Sequence, residues 1–189
     1  MIQPGIMVAG KVSSWGAIAQ KVRVPAGTVL GVVFLLLMHP SRNSLVIGGA
    51  ITSAGALIRV WAAGYIDKGK ELAEDGPYAL TRNPLYFGSF FMALGVLLAG
   101  QGYWLLVPFV AFFLAMYYPV MKKEEEELLQ GYGGEFLEYA RRVPMFFPSF
   151  RIASASSSSF LWSRVLKNRE HRTLMGLGLI EIILILKSF

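Results

Sequence analysis

The sequence predicts an all-α, polytopic integral membrane protein with four to five spans, a helical hairpin and a cytoplasmic C-terminal segment. Three observations predict it. Apolar residues make up 54% of the 189 residues and charged residues 16%, and the mean hydropathy is +0.51; lipid is the natural solvent for so much apolar surface. The apolar residues fall in separate runs, the longer ones matching what a helix needs to cross about 30 Å of hydrocarbon. Basic residues are alternately abundant and scarce between successive runs, the positive-inside pattern.

The elements follow in chain order. Residues 1–21 have no uninterrupted apolar core behind a basic cluster, so a cleavable signal peptide is not expected. Ile6, Trp15, Ile18 and Val22 instead mark one side of an interfacial helix. The first apolar run, Val22 to Met38, is short and is stopped by "HPSRN"; its Gly27 and Gly31 form a small-residue step suited to close helix approach. The second, Ser44 to Ile66, is long enough to span. Its Arg59 either snorkels to the interface or makes a polar contact inside a site. The third and fourth runs, Leu85 to Gly102 and Tyr103 to Met121, are joined by a connection so short that they must form an antiparallel hairpin. A fifth run, Thr173 to Leu186, contains Glu181 and is re-entrant, tilted or packed on the others. The serine-rich stretch Ser154 to Phe160 reads as a linker. The chain thus divides into an interfacial segment (1–21), a membrane core (22–148), a linker (149–172) and an extra hydrophobic helix (173–189).

Charge fixes an expected orientation. Lys11, Lys21 and Arg23 precede the first run, only Arg42 follows it, and Lys68, Lys70 and Arg82 lie between the second and third runs. None lies between the third and fourth, and nine basic residues lie between Met121 and Arg172. The N-terminus, the 67–84 loop and the 121–172 segment are therefore expected in the cytoplasm. A formal charge of +6 is too small and dispersed to suggest nucleic acid. The absence of cysteine excludes disulfides, thiolate nucleophiles and Cys-ligated metal. With two histidines in distant segments, His39 and His171, no metal site is expected. "GYGGEF" is glycine-rich but follows a helical run, which excludes a dinucleotide-binding reading.

Two segments remain as candidates for chemistry. In "GPYALTRNPLYFGSF", Gly76-Pro77 sets a turn, and Pro84 biases Asn83 away from helical geometry while suiting the first turn of the next helix. That helix start offers unpaired N–H groups and a positive dipole end. An aromatic belt with an arginine anchor accounts for the same residues. In "KKEEEELLQGYGGEFLEYARRVPMFFP", Lys122–Glu126 and Lys123–Glu127 are i,i+4 pairs. Four consecutive glutamates point all round a helix, so some face the membrane domain and need a cation there. Arg82, Arg141 or Arg142 could supply it. The tail suits a charged lipid head group, and equally plain docking on the bilayer.

Taken together the two segments resemble the signature of the isoprenylcysteine carboxyl methyltransferase and phospholipid methyltransferase superfamily. The carriers are Gly76, Tyr78, Arg82, Asn83, Pro84, Tyr86 and Gly88, then Glu125, Glu126, Leu128, Leu129, Tyr132, Gly133, Phe136 and Tyr139, closed by "RRVPMFFP". The resemblance covers Leu72 to Pro148. It implies a membrane enzyme that binds S-adenosylmethionine and methylates a lipidic acceptor, a membrane lipid or a prenylated substrate. In that picture Gly76, Tyr78, Arg82, Asn83, Pro84, Tyr86 and Gly88 wrap the cofactor, Glu125 or Glu126 holds its polar end, and Arg141 or Arg142 orients the acceptor. Two positions depart from the pattern: Asn83 and Lys70 stand where relatives carry histidine, and an amide cannot titrate near pH 7. The expected activity is isoprenylcysteine-type carboxyl O-methylation, with Arg141, Arg142 and Glu126 as catalytic residues. The alternatives are phospholipid amine N-methylation, a sterol-reductase-like enzyme using NADPH, and a non-catalytic lipid-binding protein.

Overall fold

The computed structural model describes residues 14–67, 71–149 and 158–189. Ile6, Lys11, Lys68, Lys70, Arg151 and Ser154 to Ser157 lie outside them. Among the described residues every regular element is helical: α1 (Ser14–Leu37), α2 (Arg42–Tyr65), α3 (Pro84–Ala99), α4 (Leu106–Tyr132), α5 (Gly134–Arg142), α6 (Trp162–Lys167) and α7 (Glu170–Lys187), with short 3-10 turns at Gly76–Ala79 and Tyr103–Leu105. Gly16–Leu37, Arg42–Tyr65 and Tyr103–Tyr132 are long and apolar enough to cross a membrane, and α3 is a shorter apolar helix. The polytopic helical architecture expected from composition is the one observed.

The breaks have local causes. Within "HPSRN", Ser41 and Ser44 form a capping box that starts α2, each side chain taking the other's backbone N–H (3.3 and 2.9 Å). Pro84 opens α3, where its missing N–H costs nothing. Gly133 adopts φ +55°, a left-handed turn open to glycine, and breaks α4 from α5.

The core is a close crossing of α2 and α3. A Cβ on Gly55 would stand 2.6 Å from the Gly88 carbonyl, and one on Gly95 would stand 2.6 Å from the Gly48 carbonyl. Small residues let backbones meet where lipid offers no hydrophobic drive between helices. The step singled out in sequence, Gly27 and Gly31, does not serve this purpose: nothing lies within 4 Å of either glycine's Cβ position. α1 packs on α4 instead.

The α3–α4 hairpin is present, but large rings rather than close backbones hold it together. Phe90 meets Phe109 and Phe113 at 5.2 and 5.0 Å between centroids, and Tyr86 meets Tyr117 at 5.6 Å. The segment read as a linker contains α6 and begins packing at once: Leu161 N–H donates to the Gly64 carbonyl (3.0 Å), and the Phe160 ring covers Gly64. α7 lies against α2 and α3, with Leu184 buried beside Met38 and Ala99. Contacts sort the helix ends into two sets. The end of α1 meets the starts of α2 and α4, the end of α3 and the end of α7. The opposite end gathers the start of α3, the ends of α2 and α4, and α5 and α6.

Candidate functional site

The second set of helix ends carries both candidate segments. At the turn, Gly76 has φ +56°, and a Cβ there would stand 2.7 Å from the Tyr65 ring, so the position demands glycine twice over. Pro77 lies in the first positions of the 3-10 turn, and Tyr78 is buried within it. Burial first, and the neighbouring Tyr139 second, push the Tyr78 phenol far above its ordinary range. Its hydroxyl has no hydrogen-bond partner among the described residues. Tyr139, on the buried face of α5, donates to the Tyr78 carbonyl at 2.9 Å. Its own phenol is raised by burial and then by Glu74.

The chain after Tyr78 pairs with the proline-containing tail. Arg82 N–H donates to the Pro144 carbonyl (2.9 Å) and Ser149 N–H to the Leu80 carbonyl (2.9 Å). The Thr81 hydroxyl donates to the Phe146 carbonyl at 2.9 Å and Asn83 Nδ2 to the Met145 carbonyl at 3.0 Å. Asn83 therefore spends its amide on the tail and makes no side-chain cap for α3. Phe146 enters the gap between α3 and α4, 5.5 Å from Phe87 and 5.7 Å from Phe113 between ring centroids.

Arg82 joins the two candidate segments. Its Nη2 lies 2.7 Å from Glu125 Oε1, with both side chains 13% exposed. Nη1 donates to the Ala140 carbonyl at 3.1 Å, and the guanidinium sits 6.0 Å from the Phe136 ring centroid. Its Nε is buried without a partner among the described residues. Of the three arginines that could neutralise an inward glutamate, Arg82 is the one that does.

The four glutamates part as their positions round the helix require. Glu124 accepts from the Tyr86 hydroxyl (2.6 Å), and Glu125 takes Arg82 and, at 3.1 Å, Lys122. Glu127 faces Lys123 at 3.6 Å. Glu126 has no ion-pair partner among the described residues, and Lys122 turns to Glu125 instead of the expected Glu126. Tyr86 also accepts from Arg23 Nη1 of α1 (2.9 Å).

Gly76, Tyr78, Arg82, Asn83, Pro84, Tyr86 and Glu125 are thus brought to one end of the bundle by direct contacts. Gly88 lies one turn deeper and faces α2: a Cβ there would stand 2.6 Å from Arg59 Cγ. The arginine pair divides. Arg142 reaches Glu74 at 3.0 Å, while Arg141 is exposed and without an ion-pair partner among the described residues. Beside α5 opens a polar cleft of about 570 Å³, lined among others by Glu71, Glu74, Asp75, Glu135, Glu138 and Arg142. No group of three or more His, Cys, Asp or Glu among the described residues could hold a metal ion.

Two contacts had no readable signal. Arg59 does not snorkel: it donates to the Leu85 carbonyl and the Ser89 hydroxyl of the first candidate segment and pairs with Glu170, 2.6 Å away and 111 residues later. Arg23 reaches Tyr86 across 63 residues. An isolated arginine in an apolar run announces that it needs a partner, but not which one.

Residues 45–135 match the family model described as phospholipid methyltransferase. The chain is 32% identical over 141 residues to the nickel-cobalt-cadmium resistance protein NccN of Alcaligenes xylosoxydans xylosoxydans, covering 69% of this chain and 66% of that protein. It is 33% identical over 116 residues to the cobalt-zinc-cadmium resistance protein CzcN of Cupriavidus metallidurans, covering 60% of this chain and 53% of that one. The chain thus spans between half and two thirds of the length of these relatives. No solved structure matches it.

Proposed function

We propose that this chain, whose residues 45–135 match the phospholipid methyltransferase family model, is an integral membrane methyltransferase that transfers a methyl group from S-adenosylmethionine to a lipid-borne acceptor at the membrane surface. The observation that carries this reading is the Arg82–Glu125 pair, which ties the two signature segments into one site at the start of α3.

The residues present fit the cofactor. Among the described residues, Arg82 Nε and the Tyr78 hydroxyl are buried donors without an acceptor, and Glu126 has no ion-pair partner. A zwitterionic amino-acid end would find Arg82 for its carboxylate and Glu126 for its ammonium, with the backbone from Gly76 to Tyr86 lining the rest. When bound, the cofactor supplies an electrophilic methyl on a sulfonium. The protein's work is placement and exclusion of water. The rings of Phe87, Phe113 and Phe146 give an apolar wall for the acceptor's chain. Arg141, exposed and without an ion-pair partner among the described residues, holds the acceptor's head group, while Arg142 fixes α5 through Glu74.

The acceptor proposed is a carboxylate of the isoprenylcysteine kind, which needs no base. Glu126, without an ion-pair partner among the described residues, favours a second reading, a phospholipid amine, whose ammonium must lose a proton before methylation. The distribution of basic residues supports a cytoplasmic site.

Reconstituted protein titrated calorimetrically with S-adenosylmethionine, and then assayed with an S-prenylated cysteine and with phosphatidylethanolamine, tests the reading. Binding that weakens in Glu126→Ala and methylation of the prenylated acceptor are the expected results. Methylation of phosphatidylethanolamine alone favours the second reading. Folded protein that binds NADPH and not S-adenosylmethionine is a reductase instead, and binding with no turnover on any lipid marks a non-catalytic protein.

A further inference from the structure

Arg59 of α2 is a half-buried guanidinium, its side chain 16% exposed, with its donors engaged. Nε and Nη2 reach the two oxygens of Glu170 at 3.1 and 2.6 Å, and Nη1 donates to the Leu85 carbonyl at 3.1 Å and to the Ser89 hydroxyl. The Glu170 side chain is 5% exposed. The acid comes from the first turn of α7, beyond the region matched by the family model; the carbonyl comes from the first turn of α3, directly after Asn83 and Pro84. The Arg59 stem also fills the space that Gly88 leaves, which accounts for glycine there by packing.

The C-terminal segment is seated where Glu170 needs to be. Lys167 pairs with Asp67, and Arg164 pairs with Glu71 at 2.6 Å and donates to the Tyr65 carbonyl at 2.8 Å. Asn168 Nδ2 donates to the Ala63 and Ile66 carbonyls at 3.0 and 3.1 Å. These contacts dock α6 on the last turn of α2, and α7 then presents Glu170 to Arg59.

We propose that α6 and α7 form an intramolecular latch, and that Arg59 and Glu170 are positioning residues for methyl transfer: Glu170 orients the Arg59 guanidinium, and Arg59 holds the first turn of α3, on which the cofactor-facing residues are mounted. The latch rests on the proposed function for its purpose and on geometry for its existence. A carboxylate gripping one edge of a guanidinium with both its oxygens fixes that group's plane, so the contact to the Leu85 carbonyl depends on a residue that touches no substrate.

The test replaces the pair by apolar residues of similar size, Arg59→Met with Glu170→Leu, a change that commonly leaves stability intact or raises it. Hydrogen exchange of the α3 amides in lipid nanodiscs reads the latch without any ligand, and calorimetric titration with S-adenosylmethionine reads its consequence. Glu170→Gln serves as a second variant. The expected result is faster exchange in the first turn of α3 and cofactor affinity lower by about tenfold in both variants, as a displaced first turn requires, with the melting temperature of the double variant held. Unchanged exchange there, or unchanged affinity with altered exchange, overturns the proposal. A wild-type protein that does not bind S-adenosylmethionine refutes the proposed function separately, and the exchange measurement still decides whether the latch exists.

Discussion

Removing the Glu125 charge should cost more than any other single change at the site. Glu125→Gln keeps the side chain's size and leaves the Arg82 guanidinium 13% exposed, with one carbonyl acceptor and a ring face. Two unit charges about 4 Å apart attract by about 4 kcal/mol at an effective dielectric near 20. Stranding one member of a buried pair costs about 3–5 kcal/mol. The residual exposure and the Ala140 carbonyl offset part of this, so about 3 kcal/mol is expected for Glu125→Gln. Arg82→Met should cost less, about 2 kcal/mol, because Lys122 still neutralises Glu125 from 3.1 Å. The double variant Arg82→Met/Glu125→Leu strands no charge, so it should cost less than the sum of the singles, with a coupling of about 2 kcal/mol. Reversible unfolding in mixed micelles around the full double-mutant cycle measures this. A coupling below about 0.5 kcal/mol would mean that the two side chains do not hold each other and that the site is not assembled as described.

Other outcomes follow from the same geometry. Gly88→Ala and Gly55→Ala each force a Cβ to within about 2.7 Å of backbone or the Arg59 stem, an overpacking cost of about 1–3 kcal/mol; Gly27→Ala and Gly31→Ala, in open space, should be neutral or slightly stabilising, and a thermal-unfolding series ranks them. Tyr78 and Tyr139 are held protonated by burial, so the folded state binds the phenolic protons more tightly than the unfolded chain does. Their contribution is complete below the unfolded phenol pKa of about 10 and is lost as pH rises above it. Absorbance at 295 nm should show these two phenolates appearing only together with loss of helix, and their early appearance in folded protein would contradict the burial. Tyr139→Phe, which removes the bond to the Tyr78 carbonyl, should cost about 1 kcal/mol. Arg141→Ala should raise the KM for acceptor while leaving cofactor affinity unchanged, whereas Arg142→Ala should lower thermal stability slightly by releasing Glu74; equal effects of the two on acceptor KM would refute the division of roles.

The sequence was informative where physics is local. Apolar runs gave the spanning helices, Pro84 and the serines of "HPSRN" gave helix starts, and the impossibility of four glutamates facing one way required an inward cation. Choosing Arg82 over Arg141 and Arg142 needed the fold, because α5 turns Arg142 toward Glu74 and leaves Arg141 outside. Small-residue spacing misled: Gly27 and Gly31 have the right interval but face open space, while Gly48 and Gly55 on α2 and Gly88 and Gly95 on α3, each pair seven residues apart, make the real crossing. An interval records which residues share a helix face, not which helix covers it. Arg59 and Glu170 were illegible for a further reason: their link depends on how a distant segment docks.

The length of α3 explains why so many polar groups gather at its start. Sixteen residues rise about 24 Å, some 6 Å short of the hydrocarbon thickness. The Ala99 end is level with the start of α2, since Ser44 Oγ donates to the Ala99 carbonyl at 2.7 Å, so the shortfall falls at Asn83. At that depth an unpaired backbone or guanidinium group costs several kcal/mol, and polar groups persist there only if protein, or a ligand, satisfies them. Two arginines enclose the helix start, Arg82 tied to Glu125 and Arg59 tied to Glu170, and the tail carbonyls take the amide and hydroxyl of Asn83 and Thr81. Among the described residues this enclosure leaves the Tyr78 hydroxyl, Arg82 Nε and Glu125 Oε1 without a hydrogen-bond partner. A charged cofactor seated between Tyr78 and Arg82 would complete the set. Tyr78→Phe should therefore leave the apo protein's stability unchanged or raised, since it deletes an unsatisfied group, and should weaken S-adenosylmethionine binding. A loss of apo stability would show that the hydroxyl already has a partner and would remove it from the cofactor's side of the site.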